Sequence, residues 1–366
     1  MNFSSVTAYA DKLVREKKLP YLDICAAKGY ERIYRYYTGC EEPATGKEHL
    51  LLYSATKPIT AVCAMQLIKA GKLRLRDRVA DYLPAYRDAY LLRDGQRVKP
   101  DVDMRIEHLL TMSAGLNYNR ATEPLKRLLA RPGVQTTTAE FAEALAEMPL
   151  DFTPGDRYQY SLCLDVMGAV IEVISGQTLA EYMKAHVFEP LEMAHTSFDA
   201  HDPAIADLYA SDRDGTITKR EPDTSFLPSE RCFSGGGGVV STVDDYARFA
   251  AALANGGVGE NGARILGEEA LTVMRTEHFS SVAVNNNFSC GQGKEYGYGY
   301  GVRVRMTASP WGLPAGEFGW DGAAGTYLMA DPVNRISVVI GMHVRHWIYC
   351  FRHEHLNLVK ELYLGL

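Results

Sequence analysis

Residues 53–71, YSATKPITAVCAMQLIKAG, are the stretch of this chain that bears most directly on its fold. Apolar residues recur through it at helical spacing, and its last residue, Gly71, is of the type preferred just past a helix end. An apolar run, residues 50–52, leads into it. We therefore expect a buried helix of about four turns that starts near Ser54.

Ser54 and Lys57 lie three residues apart at the start of this predicted helix. Residues at that spacing are neighbours on a helix surface, so we expect the amine of Lys57 beside the hydroxyl of Ser54. The first N–H groups of a helix lack partners within it and carry the positive end of its dipole, so they would stabilise an oxyanion. The pattern favours a nucleophile beside a base, and its ordinary alternative is an N-cap serine followed by a solvated lysine.

The composition is that of an ordinary globular protein, with 46% apolar and 23% charged residues in 366, which suits one large unit or two sub-domains. A formal charge of -6 gives no basic surface for nucleic acid. No apolar run approaches the ~18 residues of a membrane span. The N-terminus shows no basic region followed by an apolar stretch, so a cytoplasmic location is expected.

Neither a disulfide framework, a metal centre nor a cofactor is indicated. The cysteines are odd in number, scattered and free of Cys-x-x-Cys spacing, and we interpret them as reduced thiols: Cys25, Cys40, Cys63, Cys163, Cys232, Cys290 and Cys350. Four histidines near the C-terminus lack the His-Glu-x-x-His spacing of a zinc site and are interpreted as surface or packing residues: His343, His346, His353 and His355. Gly-x-Ser-x-Gly, the nucleophile-elbow motif of another hydrolase class, does not occur.

The order of predicted elements indicates an α+β fold. A helix, Ser5–Lys17, and a β-hairpin of Tyr21–Ala27 and Tyr30–Tyr37 open the chain, and capping boxes begin two helices in its middle, at Thr137/Glu140 and Thr178/Glu181. A helix over Thr242–Leu253 follows, then three strands and a terminal helix, at Tyr296–Arg305, Gly325–Ala330, Arg335–His343 and His355–Leu362. We expect an antiparallel sheet sub-domain from residues 1–71 and 230–366, and a mainly helical sub-domain from residues 72–229.

Two further stretches carry chemistry. In residues 152–162, FTPGDRYQYSL, a Pro-Gly turn delivers Tyr160 just ahead of an apolar helix, although a tyrosine is more often a packing residue. Residues 318–327, FGWDGAAGTY, form a glycine-rich strand. Glycine weakens a strand interior unless another backbone or a ligand approaches closely, so this strand is either bulged or a docking edge for substrate.

Together these stretches resemble the serine β-lactamase and penicillin-recognising family, within it the branch of class C β-lactamases, D-alanyl-D-alanine carboxypeptidases and family VIII carboxylesterases. The resemblance runs over nearly the whole chain, and its motifs come in the family's order: Ser54-Ala55-Thr56-Lys57, residues 109–116, Pro154-Gly155, Tyr160-Ser161, Glu189-Pro190-Leu191, Gly235–Gly238 with Ser241-Thr242, and Trp320-Asp321-Gly322. It implies an antiparallel sheet flanked by helices, with the active site in the cleft between the sheet and an inserted helical sub-domain.

The resemblance also implies roles for individual residues. Ser54 would be the nucleophile, Lys57 would keep it ready for deprotonation, and Tyr160 would act as general base and then general acid. The oxyanion would be held by the backbone N–H groups of Ser54 and Ala323.

Two departures from the family pattern bear on the substrate. The family's Tyr-x-Asn is replaced here by a motif that ends in Leu162, which removes a side-chain amide. Its Lys-Thr-Gly becomes Trp320-Asp321-Gly322, so an aromatic wall and a negative charge are expected where the family attracts the carboxylate of a β-lactam. The sequence therefore favours a carboxylesterase that acts on small or neutral esters. A β-lactamase or D-alanyl-D-alanine carboxypeptidase is the alternative, and an inactive binding protein of the same fold is the non-enzyme alternative.

Overall fold

A seven-stranded antiparallel sheet forms the centre of the computed structural model, which describes residues 1–40, 44–131, 135–221, 230–278, 295–347 and 353–366. Numbered in chain order, its strands are β1 (Leu22–Lys28), β2 (Glu31–Thr38), β9 (Tyr296–Tyr298), β10 (Arg303–Arg305), β11 (Phe318–Asp321), β12 (Tyr327–Asp331) and β13 (Ile336–Gly341). Their spatial order is β2-β1-β13-β12-β11-β10-β9. The N-terminal hairpin therefore pairs with strands from the end of the chain, so two distant segments of the sequence form one sheet.

Helices cover both faces of the sheet. The terminal helices α1 (Ser4–Lys17) and α10 (Glu354–Leu364) pack against each other and against one face, in a core with Ile24 and Val338. On the other face lie α2 (Lys57–Lys69) and α8 (Val243–Ala254), and α9 (Glu268–Met274) packs against α2. Helix α2 is buried over most of its length, as its apolar sequence predicts, because a helix without a polar face belongs in a core.

The middle of the chain is mostly helical. It contains α3 (Ile106–Leu110), α4 (Glu123–Leu129), α5 (Thr138–Ala146), α6 (Cys163–Ser175), α7 (Leu179–Met183), and a π-helical turn at Lys184–Phe188. Both predicted capping boxes are present: the side chains of Thr137 and Thr178 accept from the N–H groups of Glu140 and Glu181. This part also holds two small strand pairs, β4 (Leu91–Arg93) with β5 (Gln96–Val98), and β6 (Leu208–Ser211) with β7 (Ile217–Arg220). The division at residues 72 and 229 stays a prediction.

The predicted strand bounds agree with the structure to within two residues, with one exception. The run predicted as one strand over Tyr296–Arg305 is a hairpin, because Gly301 adopts φ +70° and the N–H of Gly299 bonds to the carbonyl of Val302. The strand predicted to run to His343 ends at Gly341. In contrast, the N-terminal hairpin forms as predicted, with Gly29 at φ +59° in its turn, a left-handed conformation that glycine adopts without strain.

A buried histidine ties the segment before Ser54 to the C-terminal part of the chain. Short strand β3 (Leu50–Leu51) pairs with β8 (Val240–Ser241), and β14 (Val344–Arg345) pairs with β6. His343 contacts both segments: its Nε2 accepts from the N–H of Leu51 at 3.2 Å, and its Nδ1 lies 3.1 Å from the carbonyl of Asp207. The neutral tautomer with its proton on Nδ1 satisfies both contacts, whereas the imidazolium would set an N–H against the N–H of Leu51.

We expect this arrangement to make folding stability pH-dependent. Burial lowers the pKa of His343 from 6.5 to about 4, and the pKa values of His108 and His355 are lowered to about 4 for the same reason. The unfolded chain then binds more protons than the folded one below pH 6.5, so the free energy of unfolding should fall as the pH drops from 6.5 towards 4. Urea denaturation at several pH values measures this, and His343→Asn should flatten the dependence. An unchanged pH slope in the variant would contradict the assignment.

No single helix among the described residues is both long and apolar enough to cross a membrane. The helical segments Cys163–Ser175 and Leu179–Phe188 reach that length and composition only when they are taken together, and they are bent by 81° at their junction.

Candidate active site

Ser54 lies in a 3₁₀ turn, Tyr53–Thr56, that runs directly into helix α2. The helical run ends at Lys69, and Gly71 adopts φ +70°, as the sequence predicts. Tyr53 has φ +47°, an uncommon conformation for a bulky residue that is often found at functional sites. This turn presents Ser54 at the wall of two adjoining cavities of about 210 and 350 Å³.

Lys57 is fully buried beneath Ser54, and its amine is surrounded by acceptors. Nζ lies 3.1 Å from Oγ of Ser54, 2.7 Å from the carbonyl oxygen of Gly236 and 3.1 Å from Oη of Tyr118. An ammonium group has three N–H donors, and these three oxygens match them in number. The spacing of Ser54 and Lys57 in the sequence thus corresponds to direct contact in the structure.

Tyr160 stands over the same amine. Its ring centre is 4.8 Å from Nζ of Lys57, and Oη accepts a hydrogen bond of 3.1 Å from Nε1 of Trp320. The ring also packs against those of Tyr118 and Trp320, at 5.3 and 5.4 Å between centres. Tyr160 lines both cavities with Ser54, so the three residues to which the resemblance assigns catalysis lie together.

Tyr118 belongs to the site although the sequence did not single it out. About 41% of its surface is exposed, but its hydroxyl is turned inward and accepts from Nζ of Lys57. Desolvation of that hydroxyl, with Tyr160 and Asp165 nearby, holds the pKa of Tyr118 well above its usual value. Tyr118 is therefore a neutral phenol that can donate its own proton. The only hint in the sequence is that Tyr118 comes two residues after the family motif in residues 109–116.

In the run Gly235–Gly238, the backbone at Gly235 and Gly236 passes too close to its neighbours for a side chain. A Cβ on Gly235 would lie 2.3 Å from the carbonyl oxygen of Leu164, and one on Gly236 would lie 2.3 Å from Oδ2 of Asp165. Asp165 accepts from the hydroxyl of Ser234 and, at 3.4 Å, from the N–H of Gly236. The result is that the carbonyl of Gly236 holds Lys57, in a site where the family's side-chain amide is missing.

Ala323 follows strand β11 in a tight turn that faces Ser54. The N–H of Gly322 bonds to the carbonyl of Thr326 at 2.6 Å, and a Cβ on Gly322 would lie 2.3 Å from the carbonyl oxygen of Leu52, so the turn packs against the segment before the serine. Within the described ranges, the N–H groups of Ser54 and Ala323 donate to no backbone carbonyl. Both residues line both cavities, so these amides are available to an oxyanion.

Trp320 and Asp321 are placed differently from the expectation. Trp320 is almost completely buried beneath Tyr160, which it supports with its indole N–H, and it offers the cleft no open aromatic wall. The carboxylate of Asp321 points to the other side of the sheet, where Oδ1 accepts at 3.0 Å from the fully buried guanidinium of Arg303. Side chains alternate across a strand, so only one of these two neighbours can face the cleft. Asp321 therefore borders the smaller cavity while its Oδ1 is paired with Arg303.

Leu162 lines the larger cavity and is itself almost fully buried, at the start of helix α6. It contributes apolar surface to the floor of the site. Nothing in the sequence motif indicates that Asp165, one turn further along the same helix, also borders this cavity.

Among the described residues, no group of three His, Cys, Asp or Glu side chains is arranged to hold a metal ion. His343 and His355 are buried and His346 and His353 are exposed. Cys25, Cys63, Cys163 and Cys232 are free thiols, and Cys290 and Cys350 lie outside the described residues.

Comparison with known proteins agrees with this geometry. The model of the family described as Beta-lactamase matches residues 6–355. The chain belongs to the β-lactamase family. It is a serine hydrolase of the β-lactamase fold, and the fold class inferred from the sequence is confirmed.

Two relatives and one solved structure illustrate the range of this family. The chain is 34% identical over 275 residues to Esterase EstB of Burkholderia gladioli, covering 67% of this chain and 68% of that protein. It is 26% identical over 308 residues to a putative D-alanyl-D-alanine carboxypeptidase of Escherichia coli, covering 79% and 67%. The structure of EstCE1, a hydrolase with promiscuous acyltransferase activity, superposes with a TM-score of 0.79 at 25% identity, covering 99% and 97%.

Proposed function

We propose that this protein is a carboxylesterase that works through an acyl-enzyme intermediate on Ser54. The observation that carries this is the contact between Nζ of Lys57 and Oγ of Ser54, with Tyr160 and the N–H of Ala323 bordering the same cavities. The similarity to Esterase EstB supports the choice of ester over other acyl substrates.

In the first half of the reaction, Oγ of Ser54 attacks the ester carbonyl while its proton passes to the phenolate oxygen of Tyr160. The negative charge that this phenolate needs is stabilised by the amine of Lys57 and by the indole N–H of Trp320. The N–H groups of Ser54 and Ala323 hold the oxyanion of the tetrahedral intermediate. Tyr160 then returns the proton to the leaving alkoxide as the carbon–oxygen bond breaks, which leaves the acyl group on Ser54.

In the second half, water takes the place of the alcohol. The oxygen of the water attacks the acyl carbon while Tyr160 accepts a proton from that water, and the same N–H groups hold the oxyanion again. The proton goes back to Oγ of Ser54 when the acyl bond breaks, and the carboxylic acid leaves. Splitting one displacement into two easier ones is the advantage of a covalent route.

Lys57→Ala and Tyr160→Phe should each lower kcat for a nitrophenyl ester by about 10²–10⁴-fold, the usual contribution of a general base. Steady-state kinetics measure this, with circular dichroism as a check that each variant is folded. Wild-type turnover by Tyr160→Phe would show that Tyr160 is only a packing residue.

Trp320→Phe tests the hydrogen bond to Tyr160 while keeping an aromatic ring in place. A hydrogen bond to a charged group contributes roughly 1.5–3 kcal/mol, so kcat should fall by about 10- to 100-fold. KM should change much less, because the buried indole does not reach the cleft. A rise in KM at constant kcat would contradict this supporting role.

One assay distinguishes an esterase from a β-lactamase, a carboxypeptidase and an inactive binding protein. Rates are compared for a short-chain nitrophenyl ester, a chromogenic cephalosporin and a D-alanyl-D-alanine peptide. A preference for the ester of at least about tenfold in kcat/KM, or 1.4 kcal/mol, is expected for an esterase. Preference for the cephalosporin or the peptide would indicate a β-lactamase or a carboxypeptidase. No turnover of any of the three would favour a binding protein.

A further inference from the structure

The N–H of Ala323, one of the two oxyanion donors, belongs to the same peptide group as the carbonyl of Gly322. The peptide is planar and trans, so the carbonyl and the N–H point in opposite directions. Whatever binds the carbonyl of Gly322 therefore fixes the direction of the N–H of Ala323. A hydrogen bond weakens steeply as its angle departs from linear, so this direction decides how well the N–H stabilises an oxyanion.

The indole of Trp347 donates to this carbonyl. Its Nε1 lies 3.1 Å from the oxygen of Gly322, and the N–H of Gly325 donates to the same oxygen at 3.0 Å. A carbonyl oxygen has two lone pairs, and these two donors match them. The N–H of Ala323 is therefore directed away from the indole, and Ala323 itself is exposed and lines both cavities with Ser54.

The position of the indole is fixed by packing. Only 6% of the surface of Trp347 is exposed, and its ring packs on the buried ring of His355 at 4.4 Å between centres. Three residues before Trp347, the N–H of Val344 donates to the carbonyl of Ala324 at 2.9 Å. Residues 344–347 thus hold the turn at one carbonyl on either side of the oxyanion donor.

A hydrogen bond to the carbonyl also strengthens the donor at the other end of the peptide. It draws electron density toward the oxygen and leaves the N–H more positive, as hydrogen bonds in a chain polarise one another. The effect is larger where the dielectric constant is low, and both Gly322 and Trp347 are buried. The indole N–H therefore both orients and strengthens the N–H of Ala323.

We propose that Trp347 is a positioning residue of the oxyanion site and acts on the reaction through the peptide group between Gly322 and Ala323. The inference rests on the proposed function, because the oxyanion forms only when Ser54 attacks a carbonyl carbon. Trp347 also borders the smaller of the two cavities, so a test must separate this indirect role from direct contact with the substrate.

Trp347→Phe removes the indole N–H and keeps an aromatic ring against His355. Loss of an oxyanion donor itself lowers kcat by about 10²–10³-fold, and loss of a residue that orients the donor should have a smaller effect, about tenfold. KM should stay close to the wild-type value, because the bond matters chiefly in the transition state. The fall should be equal for 4-nitrophenyl acetate and 4-nitrophenyl hexanoate, since both esters form the same oxyanion.

Steady-state kinetics on the two esters therefore distinguish the two roles of Trp347. A fall in kcat that differs between the acetate and the hexanoate, or a rise in KM at constant kcat, would identify Trp347 as a wall of the substrate cavity and overturn the proposal. Unchanged kinetics would also overturn it.

Trp311→Phe is the matched control, because it makes the same chemical change outside the site. Trp311 is partly buried, packs against Tyr363 at 5.8 Å between ring centres and lines neither cavity beside Ser54. This variant should keep wild-type kcat and KM, and thermal melts check that both variants are folded. Equal losses of kcat in the two variants would contradict a specific role of Trp347.

Binding of phenylboronic acid separates this proposal from the proposed function, since it needs no turnover. Oγ of Ser54 adds to the trigonal boron, the serine proton passes to Tyr160, and the tetrahedral boronate anion places an oxygen where the ester oxyanion would lie. Calorimetric titration should give a Kd about tenfold weaker for Trp347→Phe than for the wild type or Trp311→Phe.

That result supports the positioning role even if the wild type hydrolyses no ester, in which case the esterase assignment fails alone. Equal Kd values for Trp347→Phe and Trp311→Phe, or no binding of the boronic acid by the wild type, would overturn the role of Trp347 whatever the rate of hydrolysis.

Discussion

Ser54→Ala is expected to reduce ester hydrolysis to background, a loss of about 10⁴-fold or more, because no acyl-enzyme can form without the nucleophile. The thermal unfolding midpoint should remain close to that of the wild type. One hydroxyl at the start of a helix contributes only about 1 kcal/mol to stability, and Lys57 keeps its contacts with Gly236 and Tyr118 when Ser54 is removed. Steady-state kinetics and a thermal melt on the same preparation measure both effects.

Ser5→Ala, which changes an exposed serine on helix α1, is the control for contaminating esterases and should retain full activity. Substantial hydrolysis by Ser54→Ala that persists through repeated purification would contradict the assignment of the nucleophile.

The second large effect is on stability and concerns Arg303. This arginine is fully buried and donates to Glu317 at 3.2 Å, to Asp321 at 3.0 Å and to the carbonyl of Leu328 at 3.1 Å. Arg303→Met would leave two carboxyl groups in the protein interior without their cation. Removing one partner of a buried ion pair typically costs about 3–5 kcal/mol, and we expect a loss of that size in urea denaturation.

A surface pair provides the matched control for this substitution. Arg127 pairs with Glu147 where both side chains are more than half exposed, so Arg127→Met should cost less than about 1 kcal/mol. Comparable losses for the two variants would show that the Arg303 cluster contributes no more than a solvated pair. Arg303→Met should also reduce activity in the folded fraction, since Asp321 is two residues before Ala323.

The Arg303 cluster also explains why the sequence misplaced Asp321. The motif Trp320-Asp321-Gly322 shows that one of two neighbouring side chains faces the cleft, since they alternate across a strand, but not which one. That choice depends on Arg303, whose partner lies 18 positions away in the chain and is brought opposite by pairing of β10 with β11. Long-range pairing of this kind leaves no local signal.

Features governed by local rules were predicted well. The contact of Lys57 with Ser54 follows from their spacing in a helix, and the bonds of Thr137 and Thr178 to the third residue beyond follow from the capping-box pattern. The hairpin in residues 296–305 was missed because the tyrosines that alternate with its glycines favour a strand. The place of Tyr118 at the site depends on tertiary packing and could not be predicted from spacing.

Labelling with a fluorophosphonate tests the central claim most directly, because such a probe marks an activated serine without needing the natural substrate. After intact-mass analysis, trypsin should release the peptide Glu48–Lys69, since the bond between Lys57 and Pro58 resists cleavage, and Ser54 is the only serine in it. We predict one adduct per chain, located on Ser54, and none in Ser54→Ala. An adduct on a different residue, or no adduct in a preparation that hydrolyses esters, would contradict the account.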